Sequence, residues 1–127
     1  MPTPDQVKAA AEGYVAASNA NDKQSVLSHF ASDAVWFDPV GQPPHVGPEG
    51  IGAFFDLTRT MADSIQMKLI DVIVAGSEAA MTLEIHVSMG GSESIMDCIE
   101  TLEVNDEGKI SGMKAYWDMT RVRTRGA

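Results

Sequence analysis

The sequence predicts an α+β domain in which three N-terminal helices pack on one face of a curved, mainly antiparallel sheet. Three observations carry this. Apolar residues recur at helical spacing through about residue 61 and then switch to a period of two from residue 66 onward. Turn signals then follow at Gly76-Ser77, Gly90-Gly91 and Asn105-Asp106-Glu107-Gly108. Helices first and a strand meander afterwards is the pattern of segregated layers.

The first helix starts at Thr3-Pro4-Asp5-Gln6, where Thr3 caps, Pro4 takes the first helical position and Gln6 completes a capping box. Val7, Ala10, Ala11, Tyr14, Ala17 and Ser18 then share one face. Asn21 is placed to cap a second helix over 22–30, with Val26, Leu27 and Phe30 inward. Residues 34–38 read as a short strand, and 41–47 as a loop or two-stranded turn. Pro48 opens a third helix over 48–61, burying Ile51, Phe54, Phe55, Thr58 and Met61. Four strands follow over 66–75, 79–89, 93–104 and 109–121. In the second, Met81, Leu83, Ile85, Val87 and Met89 alternate with Ala80, Thr82, Glu84, His86 and Ser88, which leaves His86 on a solvated or interface side. Met113, Ala115, Trp117 and Met119 share a face of the last strand. The basic end, about 122–127, is expected to fray.

The 127 residues fit one domain spanning 1–127, with 44% hydrophobic and 21% charged residues. A net charge of −9 lacks the basic footprint of a nucleic-acid binder and offers nothing to an anionic membrane. Cys98 is the only cysteine, so no disulfide forms within the chain, and no metal site is expected. No apolar run approaches a membrane span, and Met1-Pro2-Thr3-Pro4-Asp5 has neither the basic nor the apolar region of a leader, so a cytoplasmic location is expected. Eight methionines and the small residues of the first helix suggest an adaptable apolar pocket between the layers, although methionine also simply fills cores.

Three polar groups are directed toward that interior. Tyr14 is the one large side chain at the centre of a small-residue helix face, either a packing tyrosine or a hydroxyl aimed at a ligand. Asp38 lies in Trp36-Phe37-Asp38-Pro39-Val40-Gly41-Gln42-Pro43-Pro44, where Pro39 holds it extended. Asp-Pro is also an ordinary turn-initiating pair, so the stretch alone does not decide between a turn aspartate and a desolvated base. Glu100 stands mid-strand on a face otherwise made of Met96, Cys98, Leu102 and Val104. It is either buried and kept neutral, or turned outward by a bulge or an edge position. One ionised carboxylate and two donors in an apolar site can move a proton beside a carbonyl and stabilise the enolate oxygen. The shortage of basic residues favours a neutral apolar ligand over a phosphate or carboxylate.

Asp38-Pro39-Val40-Gly41-Gln42-Pro43-Pro44, Tyr14 on the first helix and the closing Met113-Lys114-Ala115-Tyr116-Trp117 resemble the bacterial steroid Δ5-isomerases (ketosteroid isomerases), which have the cone-shaped nuclear transport factor 2-like fold. The resemblance covers nearly the whole chain and is strongest over 36–55 and 105–117. It implies a cofactor-free homodimer acting on a 3-oxo-Δ5-steroid. Asp38 would carry a proton from carbon 4 to carbon 6, with Tyr14 and a protonated Glu100 on the dienolate oxygen. It also implies a steroid-facing wall of Val40, Phe54, Phe55, Leu83, Met113 and Trp117. Two departures stand out. Glu100 replaces an aspartate, and Phe30 and Phe55 stand where supporting tyrosines occur in some members. A non-catalytic binder of small apolar ligands, or a hydrolase or cyclase, could use the same fold. For an epoxide hydrolase, Arg59 and Arg121 are not evidently placed in a carboxylate–arginine–carboxylate array.

Overall fold

In a computed structural model, residues 1–126 are described. They form α1 (Pro4–Asn19), α2 (Lys23–Ser28), β1 (Phe30–Phe37), β2 (His45–Val46), α3 (Gly47–Met61), β3 (Ser64–Ala75), β4 (Glu78–Met89), β5 (Ser92–Val104), β6 (Ile110–Tyr116), a 3₁₀ turn at Met119–Arg121 and β7 (Val122–Gly126). The strand order is β2-β1-β6-β5-β4-β3, with β7 paired to β5. All pairings are antiparallel except β1 with β6. The three helices pack on this curved mixed sheet, α1 over β3 and α3 over β1, giving an open, cone-shaped fold.

α1 begins as its sequence dictates. Thr3 Oγ1 accepts from Gln6 N, and Gln6 Oε1 accepts from Thr3 N, so two orphan donors of the first turn are satisfied reciprocally. Its buried face is Val7, Ala10, Ala11, Tyr14, Val15, Ala17 and Ser18. At its C-terminal end Asn19 behaves like one more strand residue. Its side chain accepts from Met67 N at 2.7 Å and donates to Met67 O at 2.8 Å, which fixes α1 against β3.

Four expectations differ from the structure, two for local reasons and two through long-range strand pairing. Asn21 does not cap α2. It adopts φ +56, which asparagine tolerates, and Asp22 caps instead by accepting from Ser25 N. α2 stops at Ser28, because Phe30 already pairs with Ile110 as the first residue of β1. The last strand does not run to residue 121. β6 ends at Tyr116, Asp118 caps the 3₁₀ turn, and Met119 is left 73% exposed rather than sharing the inner face. The basic tail does not fray over 122–126. β6 pairs with one half of β5 (99–104) and β7 with the other (92–96). Arg123 reaches Asp97 at 2.9 Å across that seam. Residue 127 of the expected tail lies outside the described residues. Among the described residues no helix is long and apolar enough to cross a membrane.

Burial along β4 shows where the cone opens. Met81, Leu83 and Ile85 are buried, Val87 is half-buried and Met89 is 55% exposed, although all five share one face. The core therefore fills one end of the cone and thins out toward the other.

Candidate active site

A cavity of about 310 Å³ occupies that thinning end, at the small end of the ~300–1,000 Å³ usual for small-molecule sites. Tyr14 of α1, Trp36 of β1, Asp38, Phe54 and Phe55 of α3, and Trp117 line it. Tyr14 and Trp36 are buried and make its closed end, whereas Met61 and Met89 line it from exposed positions and mark its mouth.

Tyr14 is held by rings on two sides. It meets Phe30 edge-on at 5.8 Å and Trp36 edge-on at 5.9 Å between ring centroids. Phe30 stacks on Trp36, and Trp36 meets Phe54 edge-on, so the closed end is one aromatic cluster. Neither Phe30 nor Phe55 has a hydroxyl to donate to Tyr14. Burial, then the negative charges on Glu100 and Asp38, push the Tyr14 phenol well above its ordinary value, so it is a proton-bearing donor.

Asp38 follows directly on β1, and its peptide bond to Pro39 is cis. Trp117 Nε1 donates to Asp38 Oδ1 at 2.7 Å. Burial raises the carboxyl pKa, and the indole donor pulls it back. A carboxylate poised this way is a stronger proton acceptor than a solvated one and is held in a single orientation.

Glu100 is 1% exposed, in the middle of β5 between Met81 and Ala115. The outward-turned alternative is thereby removed. Its Oε1 has no hydrogen-bond partner among the described residues. Burial and then the Asp38 charge push its pKa well up, favouring the neutral acid. Glu100 is not among the residues that line the cavity.

Three residues expected on the wall are elsewhere. Val40 is 45% exposed, and its N–H donates to Ala115 O at 2.9 Å, which pins this loop along β6 outside the cone. Leu83 and Met113 are packed into the core end. On the same face of β4 it is Ile85, Val87 and Met89, nearer the mouth, that reach the cavity. Met113 is opposite Trp36 and Leu102 in neighbouring strands and fills the space under them.

The sequence reading missed Trp36, Thr58 and Arg59 as lining residues. Arg59 was legible: four positions after Phe55, it shares that helix face. Trp36 Nε1, like Glu100 Oε1, is buried without a partner among the described residues. Among those residues no three His, Cys, Asp or Glu side chains converge as a metal site.

The fold is of the nuclear transport factor 2-like class, and the cavity lies between its helices and its sheet. The chain belongs to the SnoaL-like domain family, whose model matches residues 11–113. It is 24% identical over 112 residues to a steroid Δ-isomerase of Nocardioides simplex, covering 88% of this chain and 89% of that one. Among solved structures it is similar to RV0760c from Mycobacterium tuberculosis, at 27% identity and TM-score 0.86, covering 98% of this chain and 100% of the other. The epoxide hydrolase/cyclase-like enzyme SalBIII of salinomycin pyran-ring formation superposes with TM-score 0.89 at 19% identity, over 98% of this chain and 100% of that one. A computationally designed 17-OHP binder does so with TM-score 0.86 at 21% identity, over 96% and 98%.

Proposed function

We propose that the protein is a steroid Δ5-isomerase that moves a proton from carbon 4 to carbon 6 of a 3-oxo-Δ5-steroid through a dienolate. The observation that carries this reading is Asp38: a carboxylate raised in pKa by burial, fixed by Trp117, in a cavity closed by the Tyr14 hydroxyl-bearing ring. Asp38 takes the proton and returns it, with no cofactor required. Tyr14 donates to the oxygen as charge develops there, and Glu100, as the neutral acid, adds a second donor. The likeness to a steroid Δ-isomerase supports the substrate class. The test is conversion of 5-androstene-3,17-dione to its conjugated 4-ene, followed at the ultraviolet band of the enone. Absence of turnover, with binding of the steroid retained, would reject the isomerase.

A second reading, a binder of small apolar ligands without turnover, is favoured by one observation. Glu100 is not among the lining residues, so Tyr14 is the one member of the donor pair on the cavity wall. The array expected of an epoxide hydrolase is not formed at Asp38 by these two arginines, since Arg59 holds Ser18 and Arg121 holds Asp97.

The homodimer is likewise proposed. Ile99 and Tyr116 are in register on the outer side of the sheet and are 49% and 46% exposed, an apolar strip suited to a second copy. Sedimentation at micromolar concentration tests it.

A further inference from the structure

The cavity has a second polar pole that proton transfer does not use. Arg59, in the last turn of α3, lines the cavity on its mouth side. Its guanidinium is fixed from four directions. Nε donates to Asn21 Oδ1 at 3.1 Å, Nη1 to Thr58 Oγ1 at 3.0 Å, and Nη2 to both Ser18 O and Ser18 Oγ at 3.1 Å. Its carbon lies 4.0 Å over the Phe55 ring. Every acceptor is neutral. The C-terminal end of α1, to which Ser18 belongs, adds only a partial negative charge. Among the described residues no carboxylate comes within ion-pair distance of Arg59, although Lys23, Arg121, Arg123 and Arg125 each have one. Asp63, in the adjoining depression, instead accepts from Gly90 N.

An arginine held this rigidly presents one fixed N–H rather than a mobile charge, because its other four hydrogens are already donated. Nη1 carries two hydrogens, and Thr58 takes one of them. Apart from Asp38, Arg59 is the one charged side chain on a wall otherwise apolar and aromatic, with Ser18 and Thr58 its neighbours. Its place along the cavity is set by α1. Ser18 lies four residues beyond Tyr14, about 6 Å farther along the helix axis, on the side of Met61 and Met89. A ligand with its reacting carbonyl at Tyr14 would extend its apolar body past Phe54 and Met67 toward the mouth, the side on which Arg59 lies.

We infer that Arg59 is a specificity residue for ligands that carry a carboxylate at the end remote from the ketone, so that the preferred ligand is an amphipathic keto acid rather than a wholly neutral steroid. This modifies the expectation of a neutral ligand. That expectation rested on the scarcity of basic residues, and one correctly placed guanidinium suffices. The inference rests on the cavity being the ligand site, as in the proposed function, and not on isomerisation taking place there.

The test is calorimetric titration of the whole protein at pH 7.5 with 3-oxo-4-androstene-17β-carboxylic acid and with its primary amide, which has the same shape and no charge. The acid is expected to bind about ten- to a hundredfold more tightly, the size of one charge-assisted pair. Arg59→Gln should abolish that ratio, whatever it does to the affinity for the amide. Arg59→Lys should keep part of it. A purely structural role, holding α3 to α1, would weaken both ligands equally and leave the ratio intact. Equal or weaker binding of the acid by the unaltered protein overturns the inference whether or not Arg59→Gln folds, as does a ratio that survives both substitutions. Turnover of neutral 5-androstene-3,17-dione reports separately on the isomerase reading.

Discussion

Trp117 Nε1 donates a 2.7 Å hydrogen bond to Asp38 Oδ1, joining the loop after β6 to the loop after β1. The bond is between neighbours in space, because β1 and β6 run parallel with Phe37 opposite Lys114. It does two things to Asp38. It fixes the direction of the carboxylate, and it partly offsets the rise in pKa caused by burial.

Trp117→Phe keeps an aromatic wall and removes the donor. The indole stabilises the charged form, so its loss should raise the Asp38 pKa further. The acid limb of the rate profile should then move to higher pH, with affinity for a neutral steroid little changed. An unmoved limb in a pH series of initial rates would separate Trp117 from the base.

Asp38→Asn should lower turnover by about 10²–10⁴ with ligand binding retained, since the amide keeps the shape and loses the proton acceptor. Initial rates and calorimetric affinity, measured on the same preparation, check both halves of this expectation.

Tyr14→Phe removes one donor to the developing oxyanion and should cost about 10²–10³ in turnover. The edge-on contacts of the ring with Phe30 and Trp36 persist, so the thermal midpoint should stay close to that of the unaltered protein. A large drop in midpoint would assign Tyr14 to packing.

Glu100 ties the site to stability. Its folded pKa is well above the ordinary 4.5, so the folded state holds this proton more tightly than the unfolded chain does. Its contribution is complete below pH 4.5 and is lost as pH rises toward the folded value. Asp38, also raised, acts in the same sense. Glu100→Gln should therefore flatten the decline of stability between about pH 5 and 8, and raise the denaturation midpoint at the upper end of that range. In turnover, Glu100→Gln keeps a donor and should lose less than Glu100→Ala.

Asn19→Ala removes two hydrogen bonds between α1 and β3 and leaves the Met67 backbone groups unpaired. A loss of about 1–3 kcal/mol in urea denaturation is expected.

How much of this was legible in the sequence follows from how local each signal is. The capping box at Thr3 and Gln6 and the alternation in β4 depend on near neighbours, and both are formed as the spacing implies. Tyr14 and Glu100 were found by periodicity alone, since a face of helix or strand determines burial. Leu83 and Met113 were misplaced because periodicity gives the face but not the depth along the cone, and depth decides between core and cavity. β7 was missed because Arg123 and Arg125 look like a solvated tail until Asp97 and Glu93 on β5 are seen beside them. The Trp117–Asp38 bond depends on the parallel pairing of two strands far apart in the chain, which no local pattern encodes.

The central claim, that one carboxylate carries a proton across the ligand within an apolar cavity, is tested most directly by isotope transfer. 5-Androstene-3,17-dione deuterated at carbon 4 is converted in ordinary water, and deuterium at carbon 6 of the product is measured by mass spectrometry and NMR. Asp38 as carrier predicts a substantial fraction of the label at carbon 6. Product formed with the label lost entirely to solvent would contradict it.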